Sequence, residues 1–314
     1  MRAYLAAREN DGEAPGVRLG EVEMPVPRAN EVLVKVEAYS VNRGETFQLE
    51  RPPAGGWRPG KDVAGLVVQA APDGSGPAVG RRVVGHPPAG GWAEFVAVPT
   101  DALAPIPDRL TAVEAAALPF AGLTALRLLR TAGRHTGHLA GRRILLTGAS
   151  GGVGHYVAEL TAAAGAGVTA VSASAQRGGR LSELGAADVV HRVADAVGPF
   201  DVVLESTGGE ALPLALDRLA PRGLLIWFGQ ASRRPVTLDF FDLLRGPTGA
   251  TLRQFSYADV DGPDGPDLAT LVGLTAEGRL HPEIGTVRDW SHTGEVLADL
   301  RERRVRGNAV LTVG

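Results

Sequence analysis

The chain has 314 residues, 44% hydrophobic and 21% charged, enough to bury a large core and long enough for two domains. A formal net charge of -3 excludes the basic field that nucleic acid or an anionic membrane surface demands, so any anion must be held by a local site. Zero cysteines exclude disulfides and every thiolate metal site. The opening MRAYLAAREN lacks the apolar segment of a signal peptide. The longest apolar stretch, residues 115–126, is broken by Pro119 and Gly122 and falls short of the roughly 20 residues of a membrane span. The expectation is a cytoplasmic chain whose partner is a small molecule, with no nucleic acid and no membrane.

Taken in chain order, short β segments at residues 32–36, 64–68, 82–84 and 92–98, separated by Gly and Pro, predict an antiparallel, barrel-like unit. From about residue 118 the texture changes. Ala-rich helical stretches alternate with short apolar runs at 144–146, 168–171, 189–190, 202–204 and 224–227, the pattern of a parallel, doubly wound sheet. The segment GATLRQFSYAD reads as the last strand of that sheet. The following ADVDGPDGP reads as a surface loop or linker that returns the chain to its first domain, and the closing VRGNAVLTV as a strand completing the N-terminal sheet. The fold class is therefore α/β, with one domain formed by residues 1–119 and 257–314 and the other by 120–256. PPAGGW occurs at residues 52–57 and again at 87–92, either as a shared functional element or as two unrelated turns.

The segment RRILLTGASGGVGHYVAELTAAAGA sets a buried strand, a glycine-rich turn and a helix in succession, with Val153, Tyr156, Val157 and Leu160 at helical spacing. This is the context of a dinucleotide fingerprint. On the G-x-G-x-x-G frame Ala149 takes the first position, Gly151 the second and Gly154 the third, with Ser150, Gly152 and Val153 between them. These small residues allow a tight turn, close approach of a pyrophosphate and close packing of helix on strand, while the helix N-terminus offers N–H groups to the phosphates. At the end of the next strand no acid awaits a ribose 2'-hydroxyl. Ser172, Ser174 and Arg177, with Arg180 behind, could instead hold a 2'-phosphate, which favours NADP(H) over NAD(H); the alternative for Arg177 is a solvated arginine at a helix start.

EVLVKVEAYSVNRGE, PGKDVAGLV, GGWAEFVAVP, AAALPFAGLTAL, LTGASGGVG, FDVVLESTGG and RRVRGNAVL occur in the order seen in zinc-independent quinone oxidoreductase-like members of the medium-chain dehydrogenase/reductase superfamily. The resemblance spans nearly the whole chain. It implies a discontinuous GroES-like β-barrel catalytic domain, a Rossmann domain with a doubly wound parallel sheet, and a cleft between them. It further implies a homodimer that pairs along the last Rossmann strand. Where zinc relatives carry a His-Glu pair, this chain reads Pro59-Gly60-Lys61-Asp62, and it has no cysteine. The implied activity is NADPH-dependent hydride transfer to a quinone or α,β-unsaturated carbonyl without zinc. The alternatives are a pathway-dedicated enone reductase and a non-catalytic NADPH-binding protein.

By the same resemblance Asn42 lies near nicotinamide and substrate, Thr124 under the nicotinamide ring, and Arg177 in the place of a lysine facing the 2'-phosphate. Thr207, Gly208 and Gly229 fall in loops that contact cofactor, or are ordinary turns. Three departures stand out. Phe47 replaces a tyrosine, so a phenol is missing there; Asn308, at an expected cofactor-binding position, replaces the lysine of an R-G-K motif and removes a charge contact that lysine could make; and Arg43 and Glu45 near the cleft either pair with each other or touch substrate, Glu45 being the expected catalytic partner of Asn42. Phe47, Trp57, Trp92 and Phe241 are the expected substrate-shaping residues, with core packing the alternative for the tryptophans. His155 is expected at the surface or in a groove. His86, in a loop the resemblance sets at the cleft rim, is a candidate proton relay.

Overall fold

In the computed structural model, which describes residues 1–7, 16–257 and 262–314, the short apolar runs become strands and the glycine-punctuated segments between them become turns. Ala258, Asp259, Val260 and Asp261, the start of the expected return loop, lie outside the described residues. The chain divides into two units, Met1–Leu123 with Gly262–Gly314, and Thr124–Asp261.

The first unit opens with the hairpin strands β1 (Arg2–Ala6) and β2 (Val17–Glu21). Then come β3 (Glu31–Val41), helix α1 (Arg43–Glu50), β4 (Val63–Gln69), β5 (Arg82–Gly85), β6 (Phe95–Pro99), β7 (Leu103–Pro105) and the short α2 (Ala112–Ala116). Helix α3 (Pro119–Thr136) carries the chain into the second unit. There β8 (Arg143–Leu146), α4 (Gly152–Ala163), β9 (Gly167–Val171), α5 (Ala175–Glu183), β10 (Asp188–Val190), β11 (Phe200–Glu205), α6 (Ala211–Leu216), β12 (Leu219–Trp227), α7 (Phe240–Arg245) and β13 (Thr251–Gln254) follow. The chain ends in the first unit with α8 (Asp264–Ala276), β14 (Ile284–Asp289), α9 (Thr293–Arg301) and β15 (Asn308–Thr312).

In the first unit the sheet runs β14-β15-β3-β4-β5-β7, with β6 also paired to β3. β15 joins it antiparallel to β3, Ala309 opposite Val41, so the expected closing strand does complete the N-terminal sheet. The alternating core face of β3 and its neighbours packs Val32, Val34, Val36, Tyr39, Val63, Val83, Trp92, Val96 and Val98 into one cluster. In the second unit all six strands are parallel, in the order β10-β9-β8-β11-β12-β13. Counted within that sheet the order is 3-2-1-4-5-6, the doubly wound arrangement in which ligands bind beyond the carboxyl ends of the strands.

The repeated PPAGGW has two fates. Residues 52–56 of the first copy form an exposed loop, whereas the end of the second copy lies against the segment that follows the first: Gly90, Gly91 and Trp92 donate backbone N–H bonds to the carbonyls of Arg58, Gly60 and Pro59. Gly60 sits at φ +107, and a Cβ there would stand 2.3 Å from the Trp92 nitrogen, so only glycine admits this approach. Trp92 is fully buried, stacks on Tyr39 and donates its indole N–H to the Ser40 carbonyl at 3.1 Å. This corrects the expectation that Trp92 shapes a substrate surface: both of its faces belong to the core. Trp57 is partly buried and packs against the same cluster.

Candidate functional site

In the first unit, the end of β3 and the turn into α1 converge on one carboxylate. Asp62, just before β4, is wholly buried. Its Oδ2 accepts hydrogen bonds from the Ser40 hydroxyl at 2.5 Å and the Asn42 side-chain amide at 2.7 Å. Its Oδ1 faces His86 Nδ1 at 3.1 Å and accepts from the Phe120 backbone N–H at 3.0 Å. Asn42, the expected catalytic amide, is therefore held from behind, and its nitrogen also reaches Ser40 Oγ at 3.2 Å.

Glu45 is the second buried acid of this cluster. Its Oε2 accepts the Asn42 backbone N–H at 2.9 Å and its Oε1 that of Gly60 at 3.1 Å. Burial, with the neighbouring Asp62 charge adding to it, pushes its pKa from 4.5 to about 8. Both oxygens are committed to backbone, so the residue expected to act in catalysis with Asn42 is placed to shape the turn that carries Asn42. Phe47, one turn on in α1, is partly exposed. His86 is buried and faces Phe120 across 6.2 Å between ring centres.

The fingerprint of the second unit follows β8. Gly148, at φ +63, makes the sharp turn that the sequence frame assigned to Ala149, and a Cβ on it would lie 2.4 Å from Ser206 Oγ. Ala149 is buried, and Gly154 packs on its carbonyl, where a Cβ would come within 2.2 Å. Gly151 is the N-cap of α4. No side chain caps this end, and a Cβ on Gly151 would meet only the Gly148 carbonyl, at 3.4 Å. The first turn, with Gly152 and Val153, thus presents bare backbone N–H groups beneath open space, a cradle that suits a pyrophosphate.

Two further cofactor candidates meet at this turn. Ser174 caps α5 by accepting the Arg177 N–H at 3.4 Å, and Arg177 Nε reaches back to Ser150 Oγ at 3.3 Å. Ser172 is buried, and its hydroxyl turns to the Ser174 carbonyl. Thr124, in α3, is buried with its hydroxyl lacking a hydrogen-bond partner among the described residues.

At the end of β11 the buried Glu205 accepts from Thr147 Oγ1 at 3.0 Å and from the N–H groups of Thr207 at 2.8 Å and Gly208 at 3.0 Å. Burial raises its pKa against the opposing pull of those donors. Thr207 and Gly208 are thereby pinned beside the fingerprint loop, since Ser206 bonds both the hydroxyl and the carbonyl of Thr147. Gly229, after β12, packs on Ser206, whose carbonyl would be 3.1 Å from an added Cβ.

Asn308 and Phe241 stand apart from these clusters, whereas His155 lies under the fingerprint turn. Asn308 is buried, and its side-chain amide donates to the Glu283 carbonyl at 3.1 Å, an internal tie in place of an outward contact. Phe241 lies on α7, well exposed beside Phe240. His155, expected at a surface or in a groove, is fully buried with Nδ1 2.9 Å from the Gly151 carbonyl.

A model of the alcohol dehydrogenase GroES-like domain matches residues 28–108, and one described as zinc-binding dehydrogenase matches 152–263. The chain is 31% identical to a quinone oxidoreductase of Mus musculus over 245 residues, 73% of this chain and 72% of that one. It is 35% identical to a mitochondrial NAD(P)H oxidoreductase, RTN4IP1, of Danio rerio over 330 residues, 90% of this chain and 84% of that one. The chain belongs to the medium-chain dehydrogenase/reductase superfamily of oxidoreductases, in its quinone oxidoreductase-like branch. A mycobacterial protein solved in complex with NADPH superposes with a TM-score of 0.87 at 25% identity, covering 99% of each chain. Within this family the first unit is the GroES-like one and the parallel sheet is the Rossmann-like one.

Three residues that shape these clusters belong to none of the expected site positions: Asp62, Glu205 and Gly148. A signal was present for each. The two acids flank strand-like apolar runs, where a charge is costly unless it is hydrogen-bonded, and Gly148 directly follows β8 at the point where the chain must turn.

Proposed function

We propose that the protein is an NADPH-dependent reductase of quinones or other α,β-unsaturated carbonyl compounds and that it works without zinc. The observation that carries the reading is the uncapped N-terminus of α4, with the bare Gly151 in its turn and Arg177 drawn to Ser150 beside it. NADP(H) binds there: the α4 N–H groups suit the pyrophosphate, and Arg177 with Ser150 and Ser174 suits the 2'-phosphate. Thr124, Thr207, Gly208 and Gly229 would hold the remainder. When bound, the cofactor supplies the hydride. Asn42 orients a reactant through its amide, and Phe47 and Trp57 bound the substrate.

Zinc is implied by one family description, and the donor set here does not suit it. There is no cysteine, and each oxygen of Asp62, in the stretch that replaces the usual His-Glu pair, faces two protein groups. Among the described residues no three His, Cys, Asp or Glu side chains are grouped to hold a metal. The reading is tested by dialysing the protein against a chelator and following NADPH oxidation with a panel of quinones and enones. Undiminished turnover supports it. Activity that disappears with the chelator and returns with zinc overturns the metal-free part, and binding without turnover of any electrophile overturns the reductase.

The same reading includes a homodimer. Phe240, Phe241, Leu243 and Leu244 on α7 are exposed by 43% to 70%, and the neighbouring β13 closes the sheet with an open edge. Light scattering should return twice the chain mass; a monomer at micromolar concentration contradicts it. Among the described residues no helix is long and apolar enough to cross a membrane.

A further inference from the structure

We propose that Asp62 is a positioning residue of the reductase site: its buried carboxylate fixes which way the Asn42 amide points and which ring nitrogen of His86 carries the proton. The inference rests on the reading of Asn42 as a residue that meets the reactants.

Asp62 joins four segments that are distant in sequence. Ser40 comes from the end of β3 and Asn42 from the turn after it, Asp62 from just before β4, His86 from the loop after β5 and Phe120 from the first turn of α3. Asp62 is wholly buried, whereas Asn42 is partly exposed, so a ligand can touch the amide but not the carboxylate behind it. The acid therefore acts through its neighbours.

An ionised carboxylate only accepts hydrogen bonds, with about four lone-pair positions, and the four groups around Asp62 match that capacity. This resolves two ambiguities that an amide or a water in the same place would leave open. Asn42 must turn its nitrogen inward, toward Asp62 and Ser40, which fixes its oxygen as the acceptor side of the amide, at the start of α1. His86 must carry its proton on Nδ1, which gives Nε2 of the neutral ring acceptor character. Burying a charge is costly, and this one is placed where its acceptor-only character is needed by two side chains at once.

The test is the ring-nitrogen spectrum of the 15N-labelled full chain at alkaline pH, where imidazoles are neutral, with His86→Gln used to assign the signal. The wild-type ring should be the Nδ1–H tautomer, and Asp62→Asn should move it toward Nε2–H. In parallel, Asp62→Asn should lower kcat about ten-fold or more while the NADPH Kd changes less than about three-fold, and it should add little in an Asn42→Ala background. A wild-type His86 protonated on Nε2 overturns the proposal, as does an Asp62→Asn effect on kcat of equal size with and without Asn42. The wild-type spectrum needs neither a folded Asp62 variant nor turnover, only the His86→Gln protein for its assignment. A protein that fails to oxidise NADPH would thus overturn the reductase reading separately.

Discussion

Arg177 Nε lies 3.3 Å from Ser150 Oγ, so the first turn of α5 reaches the fingerprint turn that precedes α4. On the proposed reading, a guanidinium in that place would distinguish NADPH from NADH by one phosphate. Charge-assisted bonds to such a group are worth about 1.5–3 kcal/mol, so Arg177→Ala should weaken NADPH binding roughly ten- to a hundred-fold. NADH affinity should barely change. Calorimetric titration with both nucleotides checks this, and equal losses for the two would mean that Arg177 acts only on the fold.

The two helix-start glycines should fail differently. Gly154→Ala drives a Cβ to 2.2 Å from the Ala149 carbonyl, so α4 must shift, at a cost of about 1–3 kcal/mol seen in thermal unfolding. Gly151→Ala meets nothing closer than 3.4 Å and should leave the melting temperature nearly unchanged. Its methyl group would occupy the space that a pyrophosphate needs, and NADPH affinity should fall while stability holds.

Glu45 makes stability depend on pH. Its folded pKa, about 8, is above the ordinary 4.5, so the folded state binds a proton more tightly than the unfolded one. Its contribution is complete below about pH 4.5 and is lost as pH rises through about 8, with each pKa unit worth about 1.4 kcal/mol. Glu45→Gln should flatten this slope, in denaturant midpoints measured from pH 5 to pH 9. The same slope in wild type and variant would place the titrating group elsewhere.

The tryptophans at the ends of the repeated hexapeptide should separate cleanly. Trp92→Ala removes a fully buried indole and should cost about 3–5 kcal/mol of stability. Trp57→Ala, at a partly exposed position, should cost clearly less and act mainly on the KM of the electrophile. Denaturation and initial rates on both variants check the pair.

Much of this fold was legible because its signals are local. The fingerprint strand, turn and helix are contiguous, the parallel strands are short apolar runs, and VRGNAVLTV pairs with β3 as its pattern suggests. What escaped the sequence depends on partners brought from afar. Asp62 gathers groups 20 to 58 residues away, and Glu205 receives Thr147 from 58 residues earlier. Periodicity carries no trace of such pairings. The motif frame sets Ala149 at the turn, whereas the positive φ belongs to Gly148, the residue that must reverse the chain. Trp92 is decided by a backbone approach to Gly60, which composition alone does not reveal.

The central claim is tested most directly by initial rates of NADPH and NADH oxidation, measured side by side with one small quinone and one small enone in chelator-treated protein. The account predicts turnover with NADPH and a kcat/KM at least ten-fold lower with NADH, by about the free energy of one phosphate–guanidinium contact. An NADH preference, or NADPH binding with no oxidation by either electrophile, would contradict it.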